Sequence, residues 1–180
     1  QSGYLSVLNT TLNSDLIGSD ANFAAFNGKL SAHFPLGTSR LTLANASNAA
    51  YAHTFSSTAQ IPLAERYFTG GRNSIRGFRE NSLGPRAEDG TVVGGDILIV
   101  NNLELRYLTT DVISVHIFLD TGNSYLRDSG INSSDLRWST GSGFRYLSPV
   151  GPIGFDIGMP IDERVGEPSA RFHFSIGNAF

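Results

Sequence analysis

The sequence predicts an all-β fold, a transmembrane antiparallel β-barrel with about eight strands in the chain. Three observations predict it. Apolar residues recur with a period of two rather than the period of 3.6 that marks a helix. No apolar run approaches the roughly 20 residues of a membrane-spanning helix. The polar positions of the later strands use Gly, Ser and Thr beside scattered Arg, Asp, Glu and His, with almost no Lys.

Taken in order, the first third supports three strands, around Tyr4–Leu12, Phe23–Leu36 and Leu41–Phe55. In the second of them Phe26, Leu30, Ala32 and Phe34 oppose Lys29, Ser31 and His33. A long interruption follows, residues 56–95. From Ile97 to Tyr107, the residues Ile97, Ile99, Leu103, Leu105 and Tyr107 share one face and Asn102, Glu104 and Arg106 the other. Next, Ile113, Val115, Ile117 and Leu119 oppose Ser114, His116, Phe118 and Asp120, before Gly122 and Asn123 signal a turn. Leu136, Trp138, Phe144 and Tyr146 alternate with Arg137, Ser139, Gly141, Gly143 and Arg145, and Ser148–Pro152 reads as a turn. Ile153, Phe155, Ile157, Met159 and Ile161 oppose Gly154, Asp156 and Gly158. In the last strand Phe172, Phe174, Ile176 and Phe180 oppose Arg171, His173, Ser175 and Gly177. The whole chain, 1–180, reads as one barrel domain carrying the 56–95 loop.

A soluble sandwich alternates in the same way, so periodicity alone leaves both readings open. Two details favour lipid. The scarcity of Lys suits a crowded lumen, and Tyr107, Trp138, Tyr146, Phe172 and Phe180 sit near strand ends as an interfacial girdle would.

Composition removes several functions. With 13 basic and 16 acidic residues, a net charge of -3 and no basic cluster, the chain lacks the electrostatic footprint of a nucleic-acid binder. It has no cysteine, hence no disulfide, thiolate metal site or thiol nucleophile. No basic-then-apolar leader opens the chain, which reads as a removed signal peptide or a fragment. His33, His53, His116 and His173 have no metal-ligand spacing, so lumen or turn positions are the expectation and no metal or cofactor is expected. Ser142, His116 and Asp156 are the residues from which a nucleophilic triad could be drawn, but no nucleophile motif singles them out and the expectation is a non-enzyme. The Gly-rich stretch 70–77 lacks a Walker lysine.

That stretch carries a resemblance. Arg66-Tyr67-Phe68-Thr69-Gly70-Gly71-Arg72-Asn73-Ser74-Ile75-Arg76-Gly77-Phe78 resembles the signature loop of the BamA/TamA family of outer-membrane assembly factors. Leu103-Glu104-Leu105-Arg106-Tyr107, Phe118-Leu119-Asp120-Thr121-Gly122, the turn at Ser148–Ile153 and the closing Phe172–Phe180 resemble later family motifs in the same order. The first 60 or so residues match none.

The resemblance implies a loop that folds back into the barrel, with Arg76 projecting into the lumen and pairing with Glu104 and Asp120. The alternation independently places both carboxylates on the inward face. Gly70, Gly71 and Gly77 would let the loop bend sharply beside Phe78. Phe172, Phe174, Ile176 and the terminal Phe180 would form an assembly signal. The implied location is the outer membrane of a Gram-negative bacterium, among lipids and lipopolysaccharide. The implied activity is folding, insertion or translocation of client outer-membrane proteins at a β-strand seam. A structural or lipid-organising barrel and a pore remain the alternatives.

Family barrels have about sixteen strands and usually follow periplasmic POTRA domains; this sequence has room for about half that barrel and for none of those domains. A closed eight-stranded barrel is just filled by its own side chains and leaves no room for a loop of about 40 residues. The expectation is therefore a homo-oligomer, a dimer sharing one larger barrel, with a fragment or an incompletely closed sheet that pairs with other proteins as the alternative.

Overall fold

The computed structural model describes residues 2–149 and 151–177. Eight strands form one sheet in chain order, each antiparallel to its neighbours. They are β1 (Gly3–Asn13), β2 (Phe23–Pro35), β3 (Leu41–Thr54), β4 (Ile97–Leu108), β5 (Ile113–Tyr125), β6 (Arg137–Ser148), β7 (Gly151–Pro160) and β8 (Arg171–Ile176). Short connections at 36–40, 109–112 and 149–150 alternate with long ones at 14–22, 55–96, 126–136 and 161–170. In outer-membrane barrels the short turns are periplasmic and the long loops extracellular.

Strict alternation gives the sheet two chemically distinct faces. On one, Glu104, His116, Phe118, Asp120, Arg137, Ser139 and Asp156 are buried. On the other, Ile117 is 59% exposed, Phe144 43%, Phe155 45% and Phe174 50%, and no second sheet covers them among the described residues. An apolar face left bare is a liability in water and the ordinary condition of a barrel wall in hydrocarbon, which removes the sandwich reading. Tyr107 and Tyr146 lie on this outer face near the short-turn ends of β4 and β6, and Trp138 lies at the long-loop end of β6.

The inner face is covered by the chain's own 55–96 loop. Ile75, Phe78 and Leu83 from the loop pack on Ala50, Leu98 and Val100 of β3 and β4, with Tyr67 against them. Ile61 packs on Phe23 and Ala52 of β2 and β3. The apolar core thus lies between loop and sheet. Among the described residues the sheet is open, for β1 and β8 are its two edges and do not pair with each other.

Two local readings change. The turn expected at Gly122 and Asn123 is absent, for β5 runs on to Tyr125. A Cβ at Gly122 would lie 2.2 Å from the Ile99 carbonyl oxygen, so this glycine serves close approach to β4 within the strand. The last strand is described as ending at Ile176, with Gly177 at φ +99° donating its N–H to Pro152 O at 2.8 Å. Phe180, and Val150 of the expected turn, lie outside the described residues.

Candidate functional site

The loop is shaped before it is docked. Gly70 and Gly71 both have positive φ, at 97° and 98°, and a Cβ on Gly71 would collide with the Glu80 carboxylate. That carboxylate accepts the Arg72 N–H at 3.0 Å, while the Gly71 N–H donates to Ile75 O at 3.0 Å. The resulting tight turn aims Arg76 at the inner wall.

There Arg76 is 3% exposed and meets two wholly buried carboxylates. Its Nε and Nη2 donate to Asp120 Oδ2 and Oδ1, each at 2.8 Å, and its own backbone N–H donates to Asp120 Oδ2 at 3.1 Å. Nη1 donates to Glu104 Oε1 at 2.5 Å. The guanidinium plane rests on Phe118, with Cζ 3.5 Å from the ring centroid. The structure therefore brings together Arg76, Glu104 and Asp120 from the loop, β4 and β5.

Further charges complete the cluster. Arg106 Nε donates to Glu104 Oε2 at 2.6 Å, and Arg145 Nη2 lies 3.6 Å from Glu104 Oε1. Asp156 of β7 accepts from Arg145 at 3.0 Å, pairs with His116 Nε2 at 2.7 Å and lies 3.9 Å from Arg76. Three arginines face three carboxylates, so the wall is close to neutral where the loop docks. Asp156, Arg106 and Arg145 were not read as members of this cluster from sequence. The available signal was that each is a charge on an inward face, where a lone charge is costly.

The loop also meets the wall through bare backbone. A Cβ at Gly158 of β7 would lie 2.5 Å from Gly77 N and 2.9 Å from Arg76 C. Gly77 has φ +89°, and its N–H donates to His173 Nε2 of β8 at 3.0 Å. Asn102 Nδ2 donates to Ser74 O at 2.6 Å.

Phe78 is buried beside a second clasp that sequence reading missed. Arg137 Cζ stands 4.7 Å from the Phe78 ring centroid, and Arg137 holds Glu167 with two hydrogen bonds, at 2.8 and 2.6 Å. Its Nε donates to Asp162 Oδ2 at 2.6 Å. One arginine of β6 thus fastens the 161–170 loop beside the 55–96 loop. The hydrogen bonds from Arg137 hold the Glu167 carboxyl below its ordinary value of 4.5, against the opposing effect of burial. A carboxyl with a lowered folded value contributes fully above its ordinary pKa and loses that contribution as pH falls through the lowered one. Acidification below 4.5 is expected to free the 161–170 loop to pepsin, and Glu167→Gln is expected to flatten that pH dependence. An unchanged pH profile in the variant would assign the effect to other carboxylates.

His116 and Asp156 do meet, but Ser142 does not join them. Ser142 lies on the outer face with Phe144, opposite in parity to Gly141 and Gly143, so the triad drawn from the sequence is not assembled. Phe172, Phe174 and Ile176 line the exposed outer face of β8.

An open antiparallel meander, apolar outside, with a loop clasped by charge to its inner wall, defines a class: the wall of a transmembrane β-barrel with an inward-folded loop. The chain belongs to the Omp85 superfamily, whose domain model matches residues 1–180. It is 37% identical over 126 residues to the outer membrane protein assembly factor BamA of Nitratidesulfovibrio vulgaris, covering 67% of this chain and 16% of that protein. It is 25% identical over 211 aligned positions to BamA of Neisseria meningitidis, covering 99% of this chain and 26% of the relative. The crystal structure of BamA from Haemophilus ducreyi lacking POTRA domains 1-3 superposes with a TM-score of 0.81 at 25% identity, covering 96% of this chain and 38% of that one. The chain therefore spans about a quarter or less of the length of these two curated relatives.

Proposed function

We propose that this chain is part of a bacterial outer-membrane barrel that assists the folding and insertion of other outer-membrane proteins, without enzymatic chemistry and without a cofactor. The observation that carries the reading is a charge-clasped loop that reaches the open edge strand: Gly77 donates to His173 of β8 while Arg76 is held by Glu104 and Asp120. An unpaired edge offers backbone groups to an extended segment, so a client strand can be templated there by β-augmentation. Phe172, Phe174 and Ile176 would give that edge its lipid-facing side, and in client proteins a similar closing strand would serve as the assembly signal.

Two free edges in hydrocarbon leave backbone groups unpaired at several kcal/mol each. We infer that further strands cover these edges, exchangeably at β8, and a second copy of this chain, β1 against β8 of its partner, is one symmetric solution. Outer-membrane lipids and lipopolysaccharide would contact the outer face. Native mass spectrometry from detergent is expected to show a dimer; a clean monomer would remove the second copy as the solution.

The test of function is reconstitution with an unfolded barrel client in lipid vesicles. Client folding is expected to accelerate with this protein and to fall back with Arg76→Ala. Equal client folding with and without the protein would leave a structural barrel, and conductance in planar bilayers would identify a pore.

A further inference from the structure

The geometry points to Arg72 as a latch on the open edge of β8, holding the Phe174 carbonyl until the N–H of an incoming extended strand takes its place. This rests on the edge-pairing function proposed above and specifies how that edge is regulated.

The orientation of the edge follows from pairing parity. The Gly177 N–H donates to Pro152 O at 2.8 Å, and the register continues through Gly154↔Ser175, Asp156↔His173 and Gly158↔Arg171. In an antiparallel ladder, hydrogen-bonded and non-hydrogen-bonded pairs alternate. The odd-numbered residues of β8 therefore turn their N–H and C=O toward β7, and Phe172, Phe174 and Ile176 turn theirs away from it. Among the described residues no strand of the sheet lies on that side.

Arg72 Nη1 donates to Phe174 O at 2.8 Å, so a side chain from the loop occupies the middle carbonyl of the edge. Its backbone is fixed by the hydrogen bond to Glu80, in the same turn that delivers Arg76 to Asp120 and Glu104. The clasp on Arg76 thus also sets the reach of Arg72. The latch is displaceable, because Arg72 is exposed and water can take over its donors. It is also incomplete, since one guanidinium satisfies a single carbonyl. An incoming strand can pair first beside Phe172 or Ile176 and then exchange its own N–H for the Arg72 donor at Phe174. The partner this edge fits is an extended polypeptide with alternating side chains, recognised through its backbone.

The chain has no cysteine, so single-cysteine cross-linking reads the edge cleanly. Ile176→Cys is placed in the protein in detergent, and the probe is a synthetic peptide of residues 171–180 carrying Cys in place of Phe174, which shares the outward face with Ile176 in an antiparallel pair. Disulfide formation is compared with Arg72 intact, with Arg72→Met, which keeps the stem and loses the donors, and with Arg72→Lys, which keeps a donor. The yield is expected to rise about three- to tenfold in Arg72→Met, as loss of one modest charged hydrogen bond implies, and to stay near the parent in Arg72→Lys. Protease protection of residues 55–96, followed in parallel, is expected to be unchanged. Equal yields in all three proteins would overturn the latch while leaving the edge reading in place, and so would a rise in Arg72→Met accompanied by loss of loop protection. Absence of cross-linking in all three would overturn the edge reading and the latch with it.

Discussion

Arg76→Ala is expected to lower stability by about 3–5 kcal/mol, the usual consequence of removing one partner of a buried ion pair, and to expose residues 55–96 to protease. Two carboxylates are left behind, and they are not equally stranded. Glu104 keeps Arg106 at 2.6 Å and Arg145 at 3.6 Å. Asp120 has Arg76 as its ion-pair partner among the described residues, and it is wholly buried. Most of the loss should therefore come from Asp120. In the Arg76→Ala background, Asp120→Asn is expected to recover stability and Glu104→Gln to recover less. Arg76→Lys should restore only part, because one ammonium cannot give Asp120 its two-point contact while also reaching Glu104. Urea unfolding in detergent, followed through the single tryptophan, Trp138, measures each variant. A loss below about 1 kcal/mol, typical of solvated ion pairs, with the loop still protected, would mean that the clasp does not hold the loop.

How far this site could be read in advance depends on which physical rule carries each residue. Glu104 and Asp120 were legible because side chains alternate strictly along a strand, so parity alone assigns a face. The limits of β1 to β3 came within about a residue or two from the same signal. Parity also contained the answer for Ser142: the pattern that turned Gly141 and Gly143 inward turned Ser142 outward, away from His116. Register between strands is a different matter. That Arg145 reaches both Glu104 and Asp156, or that Arg137 meets Glu167 from the far loop, depends on how β4, β6 and β7 are staggered, which no single strand encodes. Gly122 was misread because a strand glycine under a close neighbour and a turn glycine look alike in sequence. The openness of the sheet was legible only through volume, since eight strands closed on themselves leave no room for the loop, while alternation says nothing of what lies beyond the first and last strands.

Gly158→Ala is the second large effect expected, and it isolates backbone contact from charge. The added Cβ would lie 2.5 Å from Gly77 N and 2.9 Å from both Arg76 C and Gly77 Cα. All are main-chain atoms of the docked loop, so no rotamer change can relieve the overlap. Either β7 and the loop move apart, at about 1–3 kcal/mol for overpacking, or the loop leaves its seat. Leaving the seat forfeits the Gly77–His173 hydrogen bond and the Arg76 clasp together. Gly154→Ala on the same strand and the same face is the control. Its Cβ would meet Ser175 Oγ at 2.5 Å and Arg145 Nη1 at 2.7 Å, both ends of side chains that can swing aside. That variant is expected to lose less than Gly158→Ala and to keep the loop seated, its cost being confined to loosening the Arg145–Asp156 pair as the Arg145 side chain shifts. Urea midpoints and protease protection of residues 55–96 should therefore separate two alanines that lie four residues apart on one strand. If both variants behaved alike, the loop would not be seated on Gly158, and the orientation of Arg76 would have to come from its carboxylates alone.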